Sequence, residues 1–299
     1  MHVALTREQR ELQEHLRGYF AGIMTPELQA EIEGSEGGGP LYRKALEKMG
    51  ADGWLGIGWP KEYGGQGRTP IEQMIFADEV QSAGFPLPFL TLNTVGPTLA
   101  AYGSEELKRE FLPRILAGKC YFSIGYSEPG AGTDLASLKT RAVRDGDEWV
   151  IDGQKVFTSL ADFADYIWLA ARTDPAAPKH RGISMFIVPT TAPGFKLTPT
   201  WTVGDVRTNT TYYEKVRVPH AYLVGGENNG WSLIVSQLNH ERVSLTPYGP
   251  SKRMLEEVRQ WALATRLADG RRVIDQGWVR EALAWVHAKL EALRLMQWK

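Results

Sequence analysis

The sequence predicts a multidomain α+β chain. A helical N-terminal domain over residues 1–119 precedes an antiparallel β-barrel or sandwich over 120–226, and an incomplete helical bundle over 227–299 follows. Three observations predict this. The apolar period is helical at both ends and switches to short β runs between them. At 299 residues the chain is long for one compact domain and comfortable for two or three. The final helical stretch is apolar at Val279, Ala282, Leu283, Val286, Leu290 and Leu293, and it meets no stop signal before Lys299.

The elements can be justified in order. Thr6 with Gln9 three residues on forms a capping box, and Leu5, Leu12, Leu16 and Phe20 make an apolar stripe behind it. Pro40 opens a second helix through Leu41, Ala45, Leu46 and Met49. Thr69-Pro70-Ile71-Glu72 combines a capping threonine, a proline at the first helical position and a glutamate reaching back. Ser104 starts a further helix that stops near Gly118, and the Gly-rich stretch 56–67 reads as a bend. From Tyr121 the period becomes that of strands. Arg141–Arg144 and Glu148–Ile151 flank Asp145-Gly146-Asp147, a hairpin signal, and strands follow over Tyr166–Ala171, Ile183–Val188 and Tyr212–Val218. Helical pattern returns over Trp231–Thr246, Ser251–Thr265 and from Trp278 onward.

Composition excludes several classes of function. The 34 basic and 35 acidic side chains leave a net charge of -1, which gives no electrostatic basis for binding nucleic acid or an anionic membrane. The single cysteine, Cys120, allows neither an intrachain disulfide nor a cysteine metal cluster, and the 6 histidines show no ligand spacing, so no metal is expected. No apolar stretch approaches the ~20 residues of a membrane span, and the N-terminus lacks the apolar core of a signal peptide. A soluble cytoplasmic protein is expected. The 10 tryptophans fit bulky core packing or a flat aromatic ligand.

Two segments carry chemistry. Tyr126-Ser127-Glu128-Pro129-Gly130-Ala131-Gly132-Thr133-Asp134 directly follows a strand, and its glycines, hydroxyls and backbone N–H groups suit a phosphate or cofactor loop. On composition alone, a plain Gly-Pro turn fits it equally well. Gly153-Gln154-Lys155-Val156-Phe157-Thr158-Ser159 ends another strand and offers an aromatic face and a hydroxyl, which a planar heterocycle needs for orientation. A buried phenylalanine beside a capping serine is the alternative.

In this order and at this distance, the two segments resemble the flavin-binding signatures of the acyl-CoA dehydrogenase family. Gly64-Gly65-Gln66-Gly67, Tyr102-Gly103-Ser104, Phe111-Leu112-Pro113 and Val216-Arg217-Val218-Pro219 extend the resemblance over nearly the whole chain. It implies FAD, an acyl-CoA substrate and an electron-transfer flavoprotein as acceptor, in a homo- or hetero-oligomer. It implies that Tyr126 and Ser127 lie against the pyrimidine side of the flavin, and that Gly132 and Thr133 face the dinucleotide and the substrate's CoA. Phe157, where the family usually has tryptophan, would flank the isoalloxazine, Ser159, where it usually has threonine, would bring its hydroxyl near flavin N5, and Thr158 between them would also belong to the cofactor site.

The resemblance also places the catalytic base. Leu238-Asn239-His240-Glu241-Arg242 is similar to the minority of members, the isovaleryl and long-chain types, that carry the base on the first helix after the β domain. Glu241 would then take the α-proton, and Asn239 and Arg242 would touch the substrate. Without the resemblance, Glu-Arg on a helix reads as a solvated salt bridge. The chain departs from the family after Arg266, where Arg-x-x-Phe-Gly and the later Gly-rich stretch are missing. A fragment of a longer protein, or a chain whose non-identical partner completes the site, would account for this. Asp269-Gly270-Arg271-Arg272-Val273-Ile274-Asp275 is similar to dehydrogenases of steroid side-chain catabolism, several of them heteromeric. Two alternatives stay open: an oxidase-type relative that passes electrons to oxygen, and a flavin-free structural subunit.

Overall fold

A computed structural model describes residues 4–244 and 248–297, with the side chains of 240–244 outside the described set. In chain order the helices are α1 (Arg7–Ile23), α2 (Pro26–Ile32), α3 (Pro40–Ala51), α4 (Pro70–Ser82), α5 (Gly96–Tyr102), α6 (Glu105–Leu116), α7 (Gly230–Ser244), α8 (Tyr248–Ala264) and α9 (Gly277–Gln297). Between α6 and α7 run β1 (Phe122–Gly125), β2 (Arg141–Asp145), β3 (Glu148–Lys155), β4 (Tyr166–Arg172), β5 (Ile183–Pro189), β6 (Phe195–Trp201), β7 (Arg207–Pro219) and β8 (Leu223–Val224). Helical ends around a β middle are as the periodicity predicts. Among the described residues, no helix is long and apolar enough to cross a membrane.

The local signals act where they stand. Thr6 Oγ1 accepts from the Gln9 N–H at 3.2 Å while the Gln9 side chain accepts from the Thr6 N–H at 2.9 Å, closing the capping box of α1. The same reciprocal pair, Thr69 with Glu72, starts α4 behind Pro70. Ser104 caps α6 through the Leu107 N–H. Within the Gly-rich bend, a Cβ at Gly65 would collide with the carbonyl of Trp59, so a residue without a side chain is required there.

The chain divides into two compact units. The first comprises residues 1–26, 67–87 and 245–299. In it α1 packs on α4, α4 on α8 and α8 on α9. Ala262, Val273 and Val279 form a small core with Ile274 and Leu283. Arg17 reaches across to the buried Glu79 carboxylate, 3.0 Å away.

The second unit, residues 27–66 and 88–244, holds the sheet and α7. Strand order is β6-β7-β3-β2-β4-β5-β8, with β1 paired to β4 off this path. This corrects the expected antiparallel barrel or sandwich: the sheet is open and mixed. β1 runs parallel to β4, with Phe122 opposite Tyr166, and β2 meets β4 in parallel at Arg141 and Arg172. The physical reason lies in the connection. A long crossover containing the β2–β3 hairpin returns the chain to β1 in the same direction, where a tight turn would have reversed it. Trp149, Ile151, Ile167, Leu169, Phe186, Val188, Tyr213 and Val216 fill one face of the sheet and are fully buried or nearly so. β6 escaped the sequence reading because its residues are largely exposed and include Pro199, as an edge strand permits.

Candidate active site

β1 delivers the chain into the loop 126–134, and β3 ends beside it. The backbone ties the two together, for the Val156 N–H donates to the Ser127 carbonyl at 2.9 Å. Glu128 and Ala131 exchange N–H···O bonds of 2.8 and 3.1 Å, which closes a tight turn and leaves Pro129 and Gly130 at its exposed tip. No heavy atom stands within 4 Å of where a Cβ would be at Gly130 or Gly132, so a ligand can approach the backbone there. Gly132, Thr133 and Asp134 are exposed. Asp134 is held below the ordinary carboxylate range by hydrogen bonds from Lys179, at 2.7 and 2.9 Å, and from Ser137.

Beneath the loop lies an ion pair that the sequence did not announce. Lys155, fully buried at the end of β3, donates to the Tyr126 carbonyl at 2.9 Å and to Glu128 Oε1 at 2.8 Å. Glu128 accepts further from the N–H groups of Lys139, at 2.6 Å, and Thr140, at 2.9 Å. Burial acts to raise the Glu128 carboxyl, but Lys155 and the two backbone donors outweigh it and hold the carboxyl below its usual value. Burial pushes the Lys155 ammonium down to about 8, against the pull of Glu128. Both groups are therefore charged at neutral pH. One carboxylate thus knits the loop, the approach to β2 and the end of β3 into a single frame.

The residues after Lys155 leave the sheet. Phe157 adopts φ +57 and stands 73% exposed, an unusual setting for a large aromatic ring. Its neighbours hold it out. The Thr158 N–H donates to the Asn209 carbonyl at 2.8 Å, and Asn209 Nδ2 returns a bond to the Thr158 carbonyl at 3.2 Å. Thr158 itself is buried, its hydroxyl 3.5 Å from that of Thr211. Ser159 is half-buried, its carbonyl accepting from the Ser123 hydroxyl and its own hydroxyl 3.4 Å from that of Thr208. An exposed aromatic face beside an open glycine turn fits a flat ring system that carries a phosphate tail.

α7 completes the arrangement, packed against β5 and the π-helical turn Leu90–Val95. Leu233, Ile234 and Gln237 are fully buried on it, and the Tyr126 hydroxyl donates to Gln237 Oε1. Asn239 is exposed. The side chains of His240, Glu241 and Arg242 lie outside the described residues. The backbone position of Glu241 falls one turn beyond Gln237 on the same helical stripe. Of the residues singled out in the sequence, Tyr126, Ser127, Phe157, Thr158 and Ser159 gather where β1 and β3 end, and Gly132 and Thr133 occupy the open limb of the loop.

The chain is similar to known proteins over its whole length. Three family models match: the N-terminal domain of acyl-CoA dehydrogenase over residues 6–119, the middle domain over 123–216 and the C-terminal domain over 228–299. The chain is 56% identical over 305 residues to the acyl-CoA dehydrogenase FadE26 of Mycobacterium tuberculosis, all of this chain against 76% of that protein's length. The ChsE4–ChsE5 complex of the same organism superposes with a TM-score of 0.92 at 56% identity, covering 100% of this chain and 77% of the matched one. The Tcur3481–Tcur3483 steroid acyl-CoA dehydrogenase gives 0.91 at 55% identity, with 100% and 76% covered. With all three domain models matched in order around a loop and strand of this geometry, the chain belongs to the acyl-CoA dehydrogenase family and is an oxidoreductase.

Proposed function

We propose that the chain carries out FAD-dependent α,β-dehydrogenation of an acyl-CoA thioester to the 2-enoyl-CoA, with Glu241 as the base. The observation that carries this reading is the bond between Tyr126 and Gln237. It joins the loop suited to a cofactor to the stripe of α7 that also holds position 241. FAD, when bound, supplies the two-electron acceptor for the hydride lost from Cβ. Phe157 would offer its face to the ring system, Ser127 and Ser159 their hydroxyls, and Gly132 and Thr133 the open limb to the dinucleotide and the CoA. Glu241 removes the proton from Cα. Burial under substrate raises a carboxyl toward working pH and makes it a better base. Asn239 and Arg242 lie within a turn of it and contact the substrate.

Similarity to the ChsE4–ChsE5 complex and to the Tcur3481–Tcur3483 steroid enzyme favours a steroid-derived acyl group and a non-identical partner subunit. An electron-transfer flavoprotein would be the electron acceptor. The missing Arg-x-x-Phe-Gly segment after Arg266 favours a second reading, a flavin-free structural subunit, and one experiment separates the two. Purified protein with its co-expressed partner is titrated anaerobically with straight-chain, branched and steroid-derived acyl-CoAs while flavin absorbance is followed. Bleaching is expected in the native enzyme, and Glu241→Gln is expected to keep the flavin yet bleach at least ~100-fold more slowly. Undiminished bleaching by that variant removes Glu241 as the base. A preparation that stays colourless with added FAD supports the structural subunit, and oxygen consumed on substrate addition identifies an oxidase.

A further inference from the structure

Gln237 is a buried amide with one end unused. Its Oε1 accepts from the Tyr126 hydroxyl, whereas its Nε2, equally buried, has no hydrogen-bond partner. The residue is 0% exposed, and its neighbours on α7, Leu233 and Ile234, are apolar and equally buried. An unpaired buried N–H is costly, and native proteins retain few of them without a use. A leucine or methionine would fill the position without the penalty.

The place of this donor defines what it can meet. Tyr126 begins the loop that suits the cofactor, and position 241 lies one turn further along the same stripe, about 6 Å away along the helix axis. The proposed function, on which this step rests, sets the α-carbon of the substrate against position 241. A donor one turn removed then faces the acyl portion of the substrate. We propose that Gln237 is a specificity-determining residue, its amide N–H donating to an oxygen on the acyl group, with Tyr126 fixing which end of the amide is presented. The enzyme would accordingly prefer oxygen-bearing acyl chains to plain hydrocarbon ones of the same length. A site built to satisfy a polar partner discriminates strongly against the analogue that lacks it, because its own buried polar group is then left unpaired.

The test compares straight-chain acyl-CoAs with their ω-keto counterparts of equal length, over a range of lengths, in the native enzyme and in Gln237→Met. The native enzyme is expected to favour at least one keto member. The variant is expected to lower that keto-over-unsubstituted ratio of kcat/KM by about 10–100-fold. Its flavin content is expected to be unchanged and its ligand-free melting temperature raised, because the unpaired amide is gone. Tyr126→Phe, which removes only the hydroxyl that orients the amide, is expected to lower the ratio by a smaller factor and serves if Gln237→Met does not fold. A ratio unmoved in both variants overturns the inference. So does an equal loss on both series, which would assign the donor to the thioester oxygen, or a loss of bound FAD, which would assign it to the cofactor. Failure of the proposed function looks different, since then either no acyl-CoA would bleach the native enzyme or Glu241→Gln would bleach undiminished.

Discussion

At the scale of single residues, the ion pair under the loop is the feature with the largest thermodynamic consequence. Lys155 has no solvent to fall back on, and Glu128 is nearly as buried. Replacing one partner strands the other charge in the interior, which typically costs about 3–5 kcal/mol, whereas replacing both with apolar or neutral groups is far milder. Lys155→Met is therefore expected to lower the unfolding free energy by about that amount in urea titrations, and Lys155→Met with Glu128→Gln to recover much of it. Full loss in the double variant would show that the lysine acts through packing alone. The pair also sets an acid limit. Because Glu128 is held below its ordinary value of 4.5, its contribution is complete above that pH and disappears as the pH falls through the lowered value. Phe157 and Gln237 show strain of another kind, an exposed ring at positive φ and an orphaned buried donor. Each is unfavourable in the free protein and intelligible beside a ligand.

Helices and strands differ in how much of them the sequence discloses. The boxes at Thr6 and Thr69 were readable because both partners lie within one turn, so residue type alone decides the bond. The parallel pairing of β1 with β4 was not, because it joins Phe122 to Tyr166 across an intervening hairpin, and no local pattern encodes direction. α4 carries a group of opposite behaviour to Glu128. Asp78 is 8% exposed, and burial pushes its carboxyl up to about 7 although Lys252 and Arg294 pull it down. A carboxyl raised in the folded state favours folding when protonated. Its contribution is whole below the ordinary value of 3.8 and is lost as the pH rises toward 7. Asp78→Asn is accordingly expected to stabilise the protein at pH 8, by on the order of 1–3 kcal/mol, and to have little effect near pH 4. Melting curves at the two pH values check this, and equal shifts at both would place the effect in packing.

For the molecule as a whole, family membership was legible before any coordinates. The two signature segments, the Val216–Pro219 stretch and the helical flanks each carry their own residue pattern, and the three matched domain models follow the same order. The wiring of the site was not legible. Lys155 and Glu128 stand inside the quoted motifs with nothing to mark them as buried, and Tyr126 meets Gln237 across 111 positions of chain. Burial of a lysine or a glutamine is decided by elements distant in sequence, which one chain read alone does not reveal. Because the Val156–Ser127 bond and Lys155 join both segments, they are expected to respond to FAD as one body. Hydrogen exchange at 126–134 and 155–159 should slow with the same dependence on FAD concentration. Two separate midpoints would break that link. The same wiring bears on protein engineering. Grafting the glycine turn alone onto a foreign sheet would carry a carboxylate without its counter-ion, so a transplant must bring the end of the neighbouring strand as well. In a family library the two segments should be shuffled as one cassette.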